Sequence, residues 1–451
     1  MENTNFAKRA YDHSFPRDYI VRSLLDTDFY KLLMHQFIWR KFHNINVDSA
    51  ITNRTSSVLL GREIDMNELR EQLDHVRTLK FQQNELIWLA GQTFYGQTGI
   101  FGKGYLDYLR SGFKLSDYSL ELADSAEEKD YGQIRLTFHG CWSENTLWEI
   151  YALTIINEMR YRAKMRKMNR SQLDIMYARA KVKLYAKLER LNTLEELAIS
   201  DFGTRRRHSF LWQEHCVQTA REVLGDKFVG TSNCYIAMKH GLEAKGTNAH
   251  ELPMVLASMC KNDTELKQSQ YRVLQQWQDD YRGALLVALP DTFGTTQFLR
   301  DAPLWLADWT GFRPDSKKPI PGGEELISYW EKNMKNPKEK LVLFSDGLDV
   351  RIDGFEPQGE DIVEIYNHFH GRVRDAYGFG TMLTNDFIGC HPLDANEMKP
   401  ISLVCKIKSV ENHPAVKLSD NFNKATGPSS EIERYRNVFG TDGIQGITVK
   451  V

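Results

Sequence analysis

A histidine set between a Gly-Thr turn and an acid, in Gly246-Thr247-Asn248-Ala249-His250-Glu251, has the most chemistry to offer in this sequence. Imidazole titrates near neutrality and acts as nucleophile or base, so His250 is a catalytic candidate; a hydrogen-bonded structural histidine is the alternative. Arg313-Pro314-Asp315 holds a cation and an anion either side of a ring-locked residue. The two form a local ion pair, or the arginine binds an anion while the carboxylate meets sugar hydroxyls or a metal. Arg205, Arg206 and Arg207 follow Asp201-Phe202-Gly203-Thr204. At a strand end alternate side chains face opposite ways, so at least one guanidinium must face the site, where it can grip a phosphate bidentately. A solvated basic triplet is the other reading. Phe202 beside them is either core or a ring on which a flat substrate stacks.

Glycine-bearing turns form a second group. Gly378-Phe379-Gly380-Thr381 and Ser345-Asp346-Gly347 each follow an apolar or β-prone run, and two neighbouring strand ends of this kind can share a phosphate through backbone N–H groups. Ordinary strand-to-helix turns are the alternative. Gly230-Thr231-Ser232-Asn233 has the same polar, turn-forming character.

These residues converge only if the runs before them are parallel strands. The strand candidates are Ile199–Phe202, Lys227–Gly230, Glu243–Gly246, Leu285–Leu289, Thr310–Arg313, Leu341–Phe344 and Val373–Tyr377. Amphipathic stretches such as Gln213–Leu224, Glu265–Tyr281 and Glu324–Asn333 lie between them, which is the alternation of a parallel α/β sheet. Seven strands predict a closed or nearly closed, TIM-like α/β barrel over residues 146–398, with its chemistry at one rim. Ahead of it a helical opening (Leu24–Trp39), a charged helix (Asn67–Gln83) and an alternating run (Gln133–Phe138) predict an α+β domain over residues 1–145. Leu147, Tyr151, Ile155 and Met159 recur at helical spacing behind Asn145, the expected cap, and lead into the barrel. The segment 399–451 reverts to β character. Ile401–Val410 and Ala415–Leu418, separated by Glu411-Asn412-His413-Pro414, predict a hairpin with a turn longer than two residues that returns to the N-terminal domain.

The balance of 58 basic against 60 acidic residues gives no global pull toward nucleic acid or membrane. The basic run Arg160, Arg162, Lys164, Arg166, Lys167 and Arg170 is the competing signal for a nucleic-acid face, with Tyr161 its only aromatic companion; a solvated helix face is the plainer reading. Six scattered cysteines without metal-ligand spacing predict a reducing, cytoplasmic home. Met1–Arg22 lacks the apolar core of a secretion signal, and runs such as Ala284–Leu289 are far too short to span a bilayer.

Taken together, the ordered motifs resemble those of the nicotinate phosphoribosyltransferase family. They are Leu25-Asp26-Thr27-Asp28-Phe29-Tyr30-Lys31, Asp201 to Arg207, Gly230 to Asn233, Gly246 to Glu251, Phe344 to Asp349, Phe379 to Thr384 and the Lys399 to Asp420 hairpin. The resemblance implies transfer from phosphoribosyl pyrophosphate to nicotinate with coupled ATP hydrolysis, a ligase-type step of NAD salvage that uses Mg²⁺. It implies a transient phosphohistidine at His250, with Glu251 biasing its tautomer, and catalytic roles for Arg313 and Asp315 alongside Arg205. Phe202 and Tyr30 would sandwich the pyridine ring, and a homodimer in which Tyr30 arrives from a second subunit is left open. Thr231, Ser232 and Asn233 would contact substrate; Gly347, Gly378, Gly380 and Thr381 would hold phosphate. Ser232 stands where nicotinamide-using relatives carry an aspartate, which favours the acid as substrate. In Arg313-Pro314-Asp315-Ser316-Lys317-Lys318 a second acid common in bacterial relatives is missing, and Lys317 and Lys318 would supply positive charge instead; His208 stands where an aromatic is common. Transfer to nicotinamide, and a non-catalytic RNA-binding barrel, are the alternatives.

Overall fold

Burial rather than amphipathic patterning makes the first helix. In a computed structural model, which describes residues 19–93, 99–123 and 131–446, α1 (Phe29–Lys41) is enclosed on nearly every side, Lys31, His35 and Gln36 included. The expectation drawn from Met1–Arg22 lies, up to residue 18, outside these residues. The helix starts later than its pattern suggests because Ser23 to Thr27 are spent on tight turns, after which Phe29 N donates to Ser232 O at 2.7 Å. The charged stretch predicted as one helix is two, Met66–Thr78 and Gln83–Ala90, since Gln82 and Glu85 form a capping box that starts a new helix. Strands β1 (Asn46–Asn53), β2 (Asp117–Leu122) and β3 (Ile134–Cys141) pair antiparallel, with β3 between the other two.

Two long helices follow, α2 (Trp148–Met165) and α3 (Arg170–Asn192). Asn145 does not cap α2. It ends a one-turn helix, and its Oδ1 accepts from Ser49 Oγ at 2.7 Å. The basic run on α2 is neither a nucleic-acid face nor solvated over its first half. Arg160 pairs with Glu63 at 2.6 Å, Arg162 with Glu158 at 2.9 Å and Lys164 with Glu397 at 2.9 Å, all three cations buried. Buried charges must be paired; the second of these pairs lies within α2, and the other two tie the helix to Glu63 in the N-terminal half and to Glu397 ahead of β10.

The second sheet is wholly parallel: β4 (Ile199–Asp201), β5 (Phe228–Thr231), β6 (Val287–Ala288), β7 (Gly311–Phe312), β8 (Leu341–Phe344) and β9 (Arg374–Phe379), in the order β5-β4-β9-β8-β7-β6. The seventh candidate, Glu243–Gly246, contributes one rung. Thr231 donates to Glu243 O at 3.2 Å and accepts from Lys245 N at 2.9 Å, after which the chain turns at Gly246. From there the link to β6 is a side chain, Asn248 Nδ2 donating to Val287 O at 3.0 Å, so no ladder closes the barrel among the described residues. A further helix bears on the site, α4 (Glu251–Ser258), whose cap residue is His250.

The chain then returns to the first sheet. β10 (Leu403–Val410) pairs with β1 and with the short β11 (His413–Pro414), giving the order β11-β10-β1-β3-β2. The turn is shorter than predicted. Glu411 and Asn412, at φ of 47° and 66°, make a two-residue turn of the twisted kind that suits a hairpin. Ala415–Leu418 is not a strand; beyond Pro414 the chain leaves the sheet, and Leu418 N donates to Thr292 O at 3.0 Å across on the barrel. A single apolar core joins the two halves, as where Phe37 meets Trp277 at 5.4 Å. Among the described residues no helix is long and apolar enough to cross a membrane.

Candidate active site

The strand ends of the parallel sheet face the N-terminal half across a cavity of about 70 Å³. Asp28 and Tyr30 reach it from the start of α1, Glu149 from α2, and Phe202 and Arg205 from the turn after β4. Ser232 comes from the turn after β5, His250 from the cap of α4, Arg313 and Asp315 from the turn after β7, and Lys406 from β10. A larger cavity of about 550 Å³ adjoins it inside the parallel sheet, and the two share Phe202, Lys245, Gly246, Thr247 and Leu343.

Two aromatic rings line the cavity, Tyr30 and Phe202, both from one chain. Gly378 makes room for the second: a Cβ there would sit 2.4 Å from Cδ2 of Phe202. Tyr30 OH donates to Glu149 Oε2 at 3.4 Å, and the Arg205 guanidinium stands 5.9 Å from the Tyr30 ring centre while donating to Glu149 Oε1 at 3.1 Å.

The three arginines have three fates, because they lie in a 3₁₀ turn (Thr204–Arg206) and just after it, not on an alternating strand. Arg205 faces the cavity. Arg207 is wholly buried in a bidentate pair with Asp26, both contacts at 2.7 Å. Arg206 reaches Ser402 at 3.5 Å, and burial pushes its pKa down to about 10. His208 lies behind them, stacked on Phe387 at 3.9 Å.

Alternation does govern the turn after β5. Ser232 lines the cavity, whereas Thr231 and Asn233 point away: Thr231 Oγ1 donates to Asp201 at 2.7 Å, and Asn233 Nδ2 donates to Asp26 at 2.7 Å while its Oδ1 caps the next helix. The Ser232 hydroxyl is itself engaged, donating to Asp28 Oδ1 at 2.7 Å. Burial pushes the Asp28 carboxyl up, against the pull of Arg205 and that serine.

His250 is buried, with Nδ1 at 2.9 Å from Thr292 Oγ1 and Nε2 at 3.0 Å from Asp315 Oδ2. Burial, then the Lys417 ammonium, push its pKa down to about 4 against Asp291 and Asp315, so the ring is neutral at pH 7. Burial pushes the Asp315 carboxyl up, but Arg313 and His250 outweigh it and hold it well below the usual carboxylate range. An ionised carboxylate only accepts, which assigns the N–H to Nε2 and the lone pair to Nδ1. Glu251 does not touch the ring; it turns away to Lys31 at 2.5 Å and Trp142 Nε1 at 2.6 Å.

Arg313 Nη1 contacts Asp315 at 3.0 Å and Ser345 at 3.3 Å. A second acid does stand nearby, from a loop the sequence motifs did not include: Asp291, which offers a ligand oxygen within 4.8 Å of those of His250 and Asp315. Lys317 is taken up by Glu325 and Thr296, so it does not replace that acid. Gly347, Gly380 and Thr381 do not line the cavity. Gly347 turns the chain at φ 59°, and Gly380 and Thr381 open the one-turn helix Thr381–Thr384 beside Gly203.

The site also gathers cations that no single motif announces. Arg54, Arg206 and Lys406 have no ion-pair partner within 4 Å among the described residues, Lys417 reaches only Asp291 at 3.7 Å, and Lys424 contacts Asp346. Burial lowers the pKa of Arg54 and Lys417, and pushes Lys406 down to about 8 against the attraction of Glu149. Each of these cations acts electrostatically on at least one other. Charge uncompensated in this way is a site waiting for a polyanion.

Comparison with known proteins agrees with this geometry. Residues 25–157 match the model of the nicotinate phosphoribosyltransferase N-terminal domain, and residues 197–442 that of the nicotinate phosphoribosyltransferase family. The crystal structure of the nicotinate phosphoribosyltransferase of Vibrio cholerae superposes with a TM-score of 0.79 at 26% identity, covering 95% of this chain and 96% of that one. The enzyme of the same name from Porphyromonas gingivalis gives 0.77 at 26% identity, over 93% of this chain and 100% of its own.

Proposed function

The chain belongs to the nicotinate phosphoribosyltransferase family, and on that footing we propose how its cavity carries out the family's reaction. Nicotinate and phosphoribosyl pyrophosphate give nicotinate mononucleotide and pyrophosphate, a salvage step toward NAD. The observation that carries this reading is the meeting, in one cavity, of an aromatic pair with Arg205, Arg313 and Lys406, the last without an ion-pair partner among the described residues. A pyridine ring fits between Tyr30 and Phe202, and the anionic substrate supplies the missing negative charge.

The pyridine nitrogen has a free lone pair, so no base is needed. Its bond to the ribosyl carbon forms as the bond from that carbon to the pyrophosphate oxygen breaks, and pyrophosphate leaves with the electron pair. The demand on the protein is electrostatic: Arg313, Arg205 and Lys406 meet the growing charge on the leaving group, and Asp315 faces the cationic ribosyl centre.

ATP enters through His250. The Nδ1 lone pair attacks the γ-phosphorus, an N–P bond forms, the bond to the β–γ bridging oxygen breaks and ADP departs. Asp315, holding the Nε2 proton, steadies the positive charge that develops on the ring. Mg²⁺ suits Asp291 and Asp315, both oxygen donors, and Asp291 Oδ1 is buried with no hydrogen-bond partner. Bound there, the ion would neutralise phosphate oxygens.

Nicotinamide is the second reading, favoured by one observation: the cavity contains the Asp28 carboxylate, which could accept from an amide. Burial, which raises Asp28, weakens its opposition to a substrate carboxylate, and Arg205 beside it favours the acid. Steady-state rates of His250→Asn with each base, with and without ATP, test both points. The variant should lose all ATP stimulation and form no acid-labile phosphoprotein, while slow ATP-independent transfer persists with nicotinate preferred. ATP stimulation surviving in the variant would place the acceptor elsewhere.

A further inference from the structure

The charges buried around Lys31 have no part in the transfer chemistry. The Lys31 side chain is completely inaccessible, yet two carboxylates meet it, Glu149 at 2.8 Å and Glu251 at 2.5 Å. The free oxygen of each acid is also engaged: Trp142 Nε1 donates to Glu251 Oε1 at 2.6 Å, and Arg205 Nη1 donates to Glu149 Oε1 at 3.1 Å. Burial draws the ammonium toward neutrality, but Glu149 and Glu251 outweigh it and hold Lys31 above the ordinary lysine range. Glu251 opens α4 directly after His250, while Glu149 holds both Tyr30 and Arg205. A continuous line of paired charges therefore joins the base platform to the turn that bears His250. Apolar side chains of similar volume would serve stability as well, so what such a line adds is fixed geometry.

We infer that Glu251 and Lys31 are positioning residues that couple phosphorylation of His250 to the base platform. The inference rests on the ATP-coupled reading given above. A phosphoryl group brings roughly −1.5 to −2 charges at neutral pH. Glu251 is the acid next to it in the chain, and the ammonium that balances Glu251 also holds Glu149. Repulsion that shifts Glu251 is thus passed through Lys31 to the residue that fixes Tyr30 and Arg205. Coupling is reciprocal, so substrate settling on the platform must in turn favour the phosphorylated state.

The test uses the full chain and reads one ratio, kcat/KM for nicotinate with saturating ATP over that without. Glu251→Gln keeps the shape and the bond from Trp142, leaves Lys31 paired with Glu149, and breaks the link. The ratio should fall at least fivefold. Trp142→Phe removes only the indole N–H from the same acid and should lower the melting temperature without changing the ratio. A merely structural Glu251 would lower Tm in both variants and leave both ratios at the wild-type value, and an unchanged ratio in Glu251→Gln overturns the coupling. Absence of ATP stimulation in the wild type overturns the ATP reading, and the coupling with it, so the two failures are distinct. If Glu251→Gln does not fold, Lys31→Arg keeps the charge and alters only the geometry, and a ratio unchanged in that variant overturns the inference equally.

Discussion

Lys406 carries a charge that its surroundings resist. Burial, with Lys417, Arg205 and Arg54 on the same side, draws its pKa from 10.5 to about 8 against the attraction of Glu149. In the free protein the ammonium is therefore present at pH 7 and lost as the pH rises through 8. A hydrogen bond from a charged group to phosphate is worth about 1.5–3 kcal/mol, so kcat/KM for phosphoribosyl pyrophosphate should drop by roughly tenfold or more above that pH. Lys406→Arg, charged at every accessible pH, should flatten the profile; a wild-type profile with no inflection near 8 would exclude Lys406 from the phosphate contacts. Part of this site was legible in the sequence. His250, Arg313 and Asp315 sit in turns whose composition advertises them, and Tyr30, Phe202, Arg205 and Ser232 join them in the cavity. Lys406, Arg54, Asp291 and Lys417 were not legible, because each looks ordinary in its own stretch and matters only for what lies across from it. The resemblance implies substrate contacts for Thr231 and Asn233 as well, but alternation after β5 turns both away from the cavity, to Asp201 and Asp26.

Among the elements, the turn at Gly246 does the most for its length. It ends the single rung that stands in for a seventh strand, and it passes so close to α1 that a Cβ at Gly246 would lie 2.8 Å from Tyr30 N. At φ 153° the position also disfavours a side chain. Gly246→Ala should therefore push the start of α1 away from the strand ends. The expected result is a KM for nicotinate raised several-fold, because Tyr30 moves off Phe202, with a smaller change in the KM for ATP. Equal changes in both constants would mean that the whole rim has shifted. Element types were readable where one pattern decides them, as for β8, β9 and α2; α3 was not read. The short β6 and β7 were overestimated, since two residues of each suffice for the ladders they make. Ala415–Leu418 reads as a strand because its apolar side chains are buried, but Val416 and Leu418 are buried in a cluster with Phe293, Tyr435 and Phe439 and not in a sheet.

At the scale of the whole molecule, the polyanion site exists because the chain closes on itself. Arg54 follows β1, Arg206 follows β4, Lys406 lies on β10 and Lys417 on the strap beyond β11, so no fragment assembles the cluster. Bringing like charges together opposes folding, and the direction follows from proton linkage. A lysine pKa lowered on folding means that the unfolded chain holds the proton more tightly, so stability rises with pH between about 8 and 10.5 and the penalty is fully present at pH 7. Removing the charge should therefore stabilise the free protein while disabling it. Lys406→Met at pH 7 is expected to melt at or above the wild-type temperature without ligand. Phosphoribosyl pyrophosphate at about 100 times Kd stabilises a folded protein by about 2.7 kcal/mol, which raises Tm in the wild type; the variant should show little of that rise at the same concentration. Function bought with stability predicts this crossing, with the variant ahead when empty and behind when loaded. A variant that melts lower than wild type in the absence of ligand would show that Lys406 holds β10 in place through its packing, and that the cluster is not strained by its own charge.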